Sequence, residues 1–278
     1  MKRTVTMFAA VLLLTAAAFG QKIKPEEIIA KSLEAIGTAE ARGALKNMTH
    51  SGDMTFAQGP TDQAPAGGRG VMASEGNKFV LVMTFPIPIY PMDKMAFDGK
   101  SVRVGFSRPG VRSGLGEFLE GCPEILREGL LGGVLNTGWA LIDPASRGAK
   151  LSSEGIKKID GREVYVLSYN PKKGGNTKIR LYFDKESFRH VRTEYSRIMS
   201  AQMGATPEAS ARQLENTETL TEDFLDFKTE NGLTLPRTYK FKMFVEKGKA
   251  TREYFYSMTV VESFYNQELD ANSFDIGT

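Results

Sequence analysis

The sequence predicts a mainly β protein: a large, curved antiparallel sheet of about ten strands, with helical pieces covering its concave side. Three observations predict this. Four turn dipeptides, Asp98-Gly99, Asp160-Gly161, Gly174-Gly175 and Asn231-Gly232, each lie between runs rich in β-branched and aromatic residues. Such pairs accept the positive φ angles that tight hairpins require. Apolar and polar residues alternate with a period of two along the runs, and no helix-length pattern separates most of them, which argues against parallel βαβ units.

The elements follow in chain order. Lys24-Pro25-Glu26-Glu27 opens a helix, because proline suits the first helical position and acids suit the first turn. Ile28, Ile29, Leu33 and Ile36 recur at helical spacing and Gly37 ends it. A shorter helix is expected over 39–46. Strands are expected at 48–56, 71–74 and 78–85, with the Gly- and Pro-rich 58–70 as a mobile loop. Pro86, Pro88 and Pro91 interrupt any central strand. A hairpin at 95–106 turns on Asp98-Gly99.

From about 113 to 142 the spacing becomes helical, broken by Pro123 and Gly132-Gly133. It carries apolar stripes (Leu115, Phe118, Leu119; Ile125, Leu126, Leu130, Leu131) and the only tryptophan, Trp139. Strands return at 151–159, 162–169, 177–183, 188–198, 217–228, 233–246 and 250–264. Met199–Gln213 is polar and expected to be a loop, and Glu268–Phe274 a closing turn.

Composition is that of an ordinary globular chain: 278 residues, 41% hydrophobic and 25% charged. Residues 1–20 differ. Lys2 and Arg3 precede an apolar run, and Ala18-Phe19-Gly20 has small residues where a signal peptidase cuts. A secretory signal peptide cleaved after Gly20 is expected, leaving a single domain at 21–278. The apolar run is short for the ~20 residues of a membrane span. The net charge of +3 falls to +1 without Lys2 and Arg3, so nothing points to a nucleic acid. Cys122 is the only cysteine, so no internal disulfide forms and stability must come from the core.

No chemistry-bearing motif accompanies the sheet. His50 and His190 are the only histidines and no Cys-x-x-Cys or His-Glu-x-x-His occurs, so no metal site is expected. Gly99-Lys100-Ser101 lacks the earlier glycine of a phosphate loop, and no Gly-x-Ser-x-Gly elbow is present. Glu222-Asp223 is an acid pair, but adjacent strand residues face opposite sides, so a solvated edge is expected there. No catalytic residue, cofactor or enzymatic activity is assigned. A secreted hydrolase would need His190 grouped with a carboxylate and a serine.

Within each strand alternation groups Ile179, Leu181 and Phe183 on one side, Tyr239, Phe241, Met243 and Val245 on one side, and Tyr254, Tyr256, Met258 and Val260 on one side. A curved sheet with one apolar side encloses volume, and larger barrels hold cavities. The candidate ligand-lining residues are Phe79, Leu81, Met83, Leu126, Leu130, Trp139, Leu181, Phe241, Met243, Tyr256 and Met258. Each of them is also an ordinary core residue.

The leader, the helix from Pro25 to Gly37, the strand block, the insertion and the hairpin meander resemble the lipoprotein-sorting carriers and receptors (the Lol superfamily). Ala96-Phe97-Asp98-Gly99, Ile159-Asp160-Gly161-Arg162-Glu163-Val164-Tyr165, Leu181-Tyr182-Phe183-Asp184 and Gly232-Leu233-x-Leu235-Pro236 carry the resemblance. It implies an antiparallel incomplete β-barrel with a helical lid, a periplasmic address, and lipids or lipoprotein acyl chains held in an apolar hollow without a cofactor. Inner- or outer-membrane envelope proteins would be partners. The alternative is a non-catalytic envelope module whose core is filled.

Overall fold

A computed structural model describes residues 23–59, 64–199, 215–248, 250–270 and 272–277. The leader at 1–20 and nearly all of the polar segment 199–213 lie outside the described residues.

Helix α1 (Pro25–Ile36) begins on Pro25 and carries Glu26 and Glu27 in its first turn. It buries Ile28 and Ile29. Helix α2 (Ala39–Gly43) is capped by the Thr38 hydroxyl, which accepts from the Ala41 N–H at 3.1 Å. The described residues form twelve strands, where about ten are expected: β1 (Asn47–Gly59), β2 (Ala66–Glu75), β3 (Lys78–Thr84), β4 (Met92–Phe97), β5 (Val102–Val104), β6 (Lys150–Ile159), β7 (Arg162–Asn170), β8 (Thr177–Asp184), β9 (His190–Met199), β10 (Asn216–Glu230), β11 (Leu233–Lys247) and β12 (Ala250–Tyr265).

All twelve form one open sheet in the order β5-β4-β3-β2-β1-β12-β11-β10-β9-β8-β7-β6, every neighbour antiparallel. The incomplete barrel is therefore present. Its hairpins use the expected chemistry at Asp160-Gly161 (φ 48° and 84°) and Asn231-Gly232 (φ 52° and 75°). Gly174-Gly175 differs: it sits in a longer connection from β7 to β8, and neither residue takes a positive φ.

The Gly-rich segment 58–70 is not a loop throughout, since β1 runs to Gly59 and β2 begins at Ala66. Its glycines mark close approach rather than mobility. A Cβ on Gly68 would lie 2.2 Å from the Thr84 carbonyl oxygen, and one on Gly70 2.7 Å from Met54 Cγ.

Closing β1 onto β12 leaves β5 and β6 as the two sheet edges, although they are consecutive in the chain. The segment 105–149 must therefore cross from one edge to the other over the sheet's open side. It holds less helix than its apolar spacing suggests: α3 (Gly114–Gly121), α4 (Glu124–Arg127) and one 3-10 turn (Gly133–Leu135). Pro123 and the left-handed Gly129, Gly132 and Gly133 (φ 68°, 79° and 50°) break it into turns.

The inner face and the insertion share one hydrophobic core. The outer face carries two smaller clusters. Phe274, from the chain's end, covers Ala73, Val80 and Ala96, and Val164, Val166 and Tyr182 pack together. Among the described residues no helix is long and apolar enough to cross a membrane.

Candidate functional site: an occupied hollow

The structure brings all eleven candidate residues into the same core cluster, none more than 3% exposed. Phe79, Leu81 and Met83 come from β3, Leu181 from β8, Phe241 and Met243 from β11, and Tyr256 and Met258 from β12. Leu126 comes from α4, while Leu130 and Trp139 come from the turns beyond it. Sheet residues and insertion residues thus face each other, and the insertion's side chains occupy the hollow.

Two features of the inner wall stand out chemically. Met48, Met54, Met72, Met83, Met95, Met243 and Met258 are all buried within the core. Unbranched, polarizable thioethers adapt to neighbours of differing shape. A row of rings also runs across the strands: Trp139 lies 5.1 Å from His190, His190 4.8 Å from Phe224, and Phe224 5.4 Å from Tyr239. It continues through Phe241 to Tyr256 at 5.2 and 4.5 Å.

Buried polar groups tie the insertion to this wall. Glu222 on β10 is fully buried between Leu220 and Phe224. Its Oε1 accepts from the Gly132 N–H at 2.8 Å and the Tyr239 hydroxyl at 2.5 Å, and its Oε2 accepts from the Tyr195 hydroxyl at 2.6 Å. Burial pushes the Glu222 carboxyl up to about 7. The acid pair therefore splits as alternation requires. However, Glu222 is core rather than solvated edge, and only Asp223 faces outward, bonded to Arg192 at 2.5 Å.

Asp93 on β4 plays a similar part at the insertion's start. It accepts from the Tyr90 hydroxyl at 2.8 Å and from the Ser113 hydroxyl, whose oxygen in turn caps α3 through the Gly116 N–H at 2.8 Å. Burial raises the Asp93 carboxyl to about 6 against the lowering effect of those two bonds. Farther along, the Tyr169 hydroxyl donates to Glu128 at 2.8 Å and the Thr177 hydroxyl to Glu124 at 2.6 Å. Arg197, ion-paired with Glu218, lies 5.3 Å from the Phe118 ring of α3.

His190 is buried under Gly133 rather than at the surface. Its Nε2 meets the Thr193 hydroxyl at 2.9 Å, and its ring packs against Trp139, Phe183 and Phe224. Burial holds it down to about 3. Among the described residues it is not grouped with a carboxylate and a serine, and no three His, Cys, Asp or Glu side chains converge as a metal site would require. Cys122 is buried and its thiol is pushed up by burial, which suits a packing role.

An open groove of about 910 Å3 lies elsewhere, at the β6–β7 and β8–β9 turns. None of the eleven residues lines it. Lys185 and Arg192 in its wall are already paired with Glu163 and Asp223.

Glu222, Asp93 and Gly132 escape a reading based on motifs. The signal for Glu222 lies in its position, because alternation from Leu220 to Phe224 places it on the inner face.

No family model matches the sequence, and no curated protein matches it. Among solved structures, the chain is similar to a LolA superfamily protein from Nitrosomonas europaea: 16% identity, TM-score 0.46, covering 91% of this chain and 97% of that one. It is similar to a domain described as an outer membrane lipoprotein-sorting protein from Vibrio parahaemolyticus (15%, 0.41, 89% and 97%). A third is a DUF1329 family protein from Desulfovibrio piger (11%, 0.45, 90% and 96%).

Proposed function

We propose that this protein carries a lipid or a lipoprotein acyl chain in the hollow of its sheet, and that the insertion 105–149 is a plug the cargo displaces. The observation that carries this reading is the methionine-lined inner wall, closed by a segment that contributes no strand to the sheet. Side chains of the plug stand where an acyl chain would lie. Cargo gains about 0.8 kcal/mol for each methylene it buries. It must also offset the packing that Leu126, Leu130 and Trp139 give up. The net affinity is then small enough for cargo to pass onward, and no cofactor takes part. Phe79, Leu81, Met83, Leu181, Phe241, Met243, Tyr256 and Met258 would line the cargo, with the three insertion residues as the movable side. The leader at 1–20 supports a periplasmic address, where donors and acceptors would be membrane envelope proteins.

The occupied hollow itself favours a second reading, a structural or interaction module of the envelope with a solid core. Extraction of the purified chain followed by lipid mass spectrometry, paired with titration of a fluorescent fatty acid, separates the two. The carrier reading expects bound lipid and saturable binding. Neither lipid nor binding leaves the solid module.

A further inference from the structure

Resting on the plug reading above, we propose that Glu222 is the positioning residue of the insertion: as a neutral acid it holds Gly132 against the sheet, and its ionisation favours release. The geometry fits the neutral form. Oε1 already takes two donors, Gly132 N–H and Tyr239 O–H, as a carbonyl oxygen does. Oε2 has a single partner, the Tyr195 hydroxyl at 2.6 Å, to which an acid proton can be donated while that hydroxyl turns away. An anion there gains those three hydrogen bonds, which lower its pKa, but burial outweighs them and no cation is paired with it among the described residues. Leu220 and Phe224 flank it on β10, both fully buried. From β9 it faces Tyr195, with His190 packed against neighbouring Phe224; from β11 it faces Tyr239; and from the insertion it faces a backbone N–H. Asp223 beside it adds like charge, and no lysine or arginine among the described residues is ion-paired with it. Arg197, on the same inner face, is held by Glu218.

Lifting Gly132 away lets water reach the carboxyl, and the proton leaves to solvent. Closed, the group titrates near 7; hydrated, it returns toward its ordinary 4.5. The folded, closed form is therefore favoured below 4.5 and loses that advantage as pH rises to 7, so opening increases with pH and levels off above 7. Asp93, at the insertion's other anchor, acts in the same direction but only below about 6. His190, held near 3 in the closed form but ordinarily near 6.5, lies under Gly133; hydrated on opening, it works the other way below about 6.5, and a variant lacking only the Glu222 charge isolates that effect.

Trp139 is the chain's only tryptophan and sits in the plug, so its quenching by acrylamide reports opening. Hydrogen exchange of peptides covering 129–140, corrected for intrinsic rates, reports it independently. Relative to E222Q, which keeps the His190 effect, the wild type is expected to gain about fivefold in opening from pH 6 to pH 7. E222Q, whose amide can keep all three hydrogen bonds with no charge to bury, is expected to show no rise over that interval, only a fall where His190 titrates. An E222Q profile that rises like the wild type overturns the proposal, as does a wild-type profile that falls as E222Q does. If E222Q loses its native circular dichroism, the wild-type exchange profile decides alone. Fatty-acid titration at pH 6 and 8 separates the two ideas. A pH step without lipid binding removes the carrier reading and leaves the latch, whereas lipid binding without a step removes the latch and leaves the carrier.

Discussion

Single residues decide how tightly the insertion seats. Gly133 has φ 50°, and a Cβ there would lie 2.6 Å from Phe224 Cζ and 3.0 Å from His190. Gly133→Ala is expected to cost about 1–3 kcal/mol, read as a lower urea midpoint, because strained backbone and steric overlap coincide. Gly43 ends α2 with open space around it. Gly43→Ala is expected to be neutral or stabilising by up to about 1 kcal/mol. Equal effects from the two would contradict this view of the plug. At this scale the sequence is least legible. Alternation tells that Glu222 faces inward, but its partner Gly132 is ninety positions away and its three donors come from three elements. His190 is hidden for the same reason, since nothing local to Arg189-His190-Val191 announces the Trp139 ring above it.

At the scale of elements, local chemistry carries far. Asn231-Gly232 and Asp160-Gly161 turn where they should, Pro25 starts α1, and the prolines from 86 to 91 separate β3 from β4. These features depend on φ preferences and missing donors that each residue brings with it. Glycines at 67–70 mislead because the same residue serves loops and close strand packing; only the neighbouring Met54 and Thr84 tell them apart. Insertion helices are overestimated because apolar spacing cannot distinguish a helix from a string of turns with one buried side.

The two sides of the core should behave differently on truncation. Leu130→Ala in the plug and Met258→Ala in the wall are each expected to cost about 2–5 kcal/mol in stability. Their effects on cargo should be opposite. Weakening the plug removes competition and is expected to raise fatty-acid affinity at least tenfold, which needs only about 1.4 kcal/mol of that loss to fall on the closed form. Truncating the wall is expected to lower affinity. If both variants lower it alike, the insertion is not a competitor for the hollow.

Across the whole molecule, four buried titratable groups oppose one another. Glu222 and Asp93 are held above their ordinary values, near 7 and 6, so they stabilise the fold most in acid and less as pH rises. His50 and His190 are held below theirs, near 4 and 3, so their contribution is complete above 6.5 and is lost as pH falls. Each changes stability by about 1.4 kcal/mol per pH unit within its window. Between pH 4.5 and 6 two gains meet two losses, and below about 3.8 only the loss at His190 continues. Urea midpoints are therefore expected to hold nearly constant from pH 6 to 4.5 and to fall below 4; a steady decline starting at pH 6 would contradict the burial of both acids. The global form was legible where it follows from strand alternation. The crossing of the insertion was not, because it depends on β1 closing against β12 and so leaving consecutive strands at opposite edges.

Energy transfer from Trp139 to a fluorescent fatty acid tests most directly whether a guest enters between wall and plug. The donor is unique in the chain and buried in the segment said to move. Saturable loss of tryptophan emission with matching sensitised probe emission, at one probe per chain and reversed by unlabelled palmitate, is the expected result. Unchanged Trp139 emission through a full titration, with no lipid extractable from the purified chain, would contradict it.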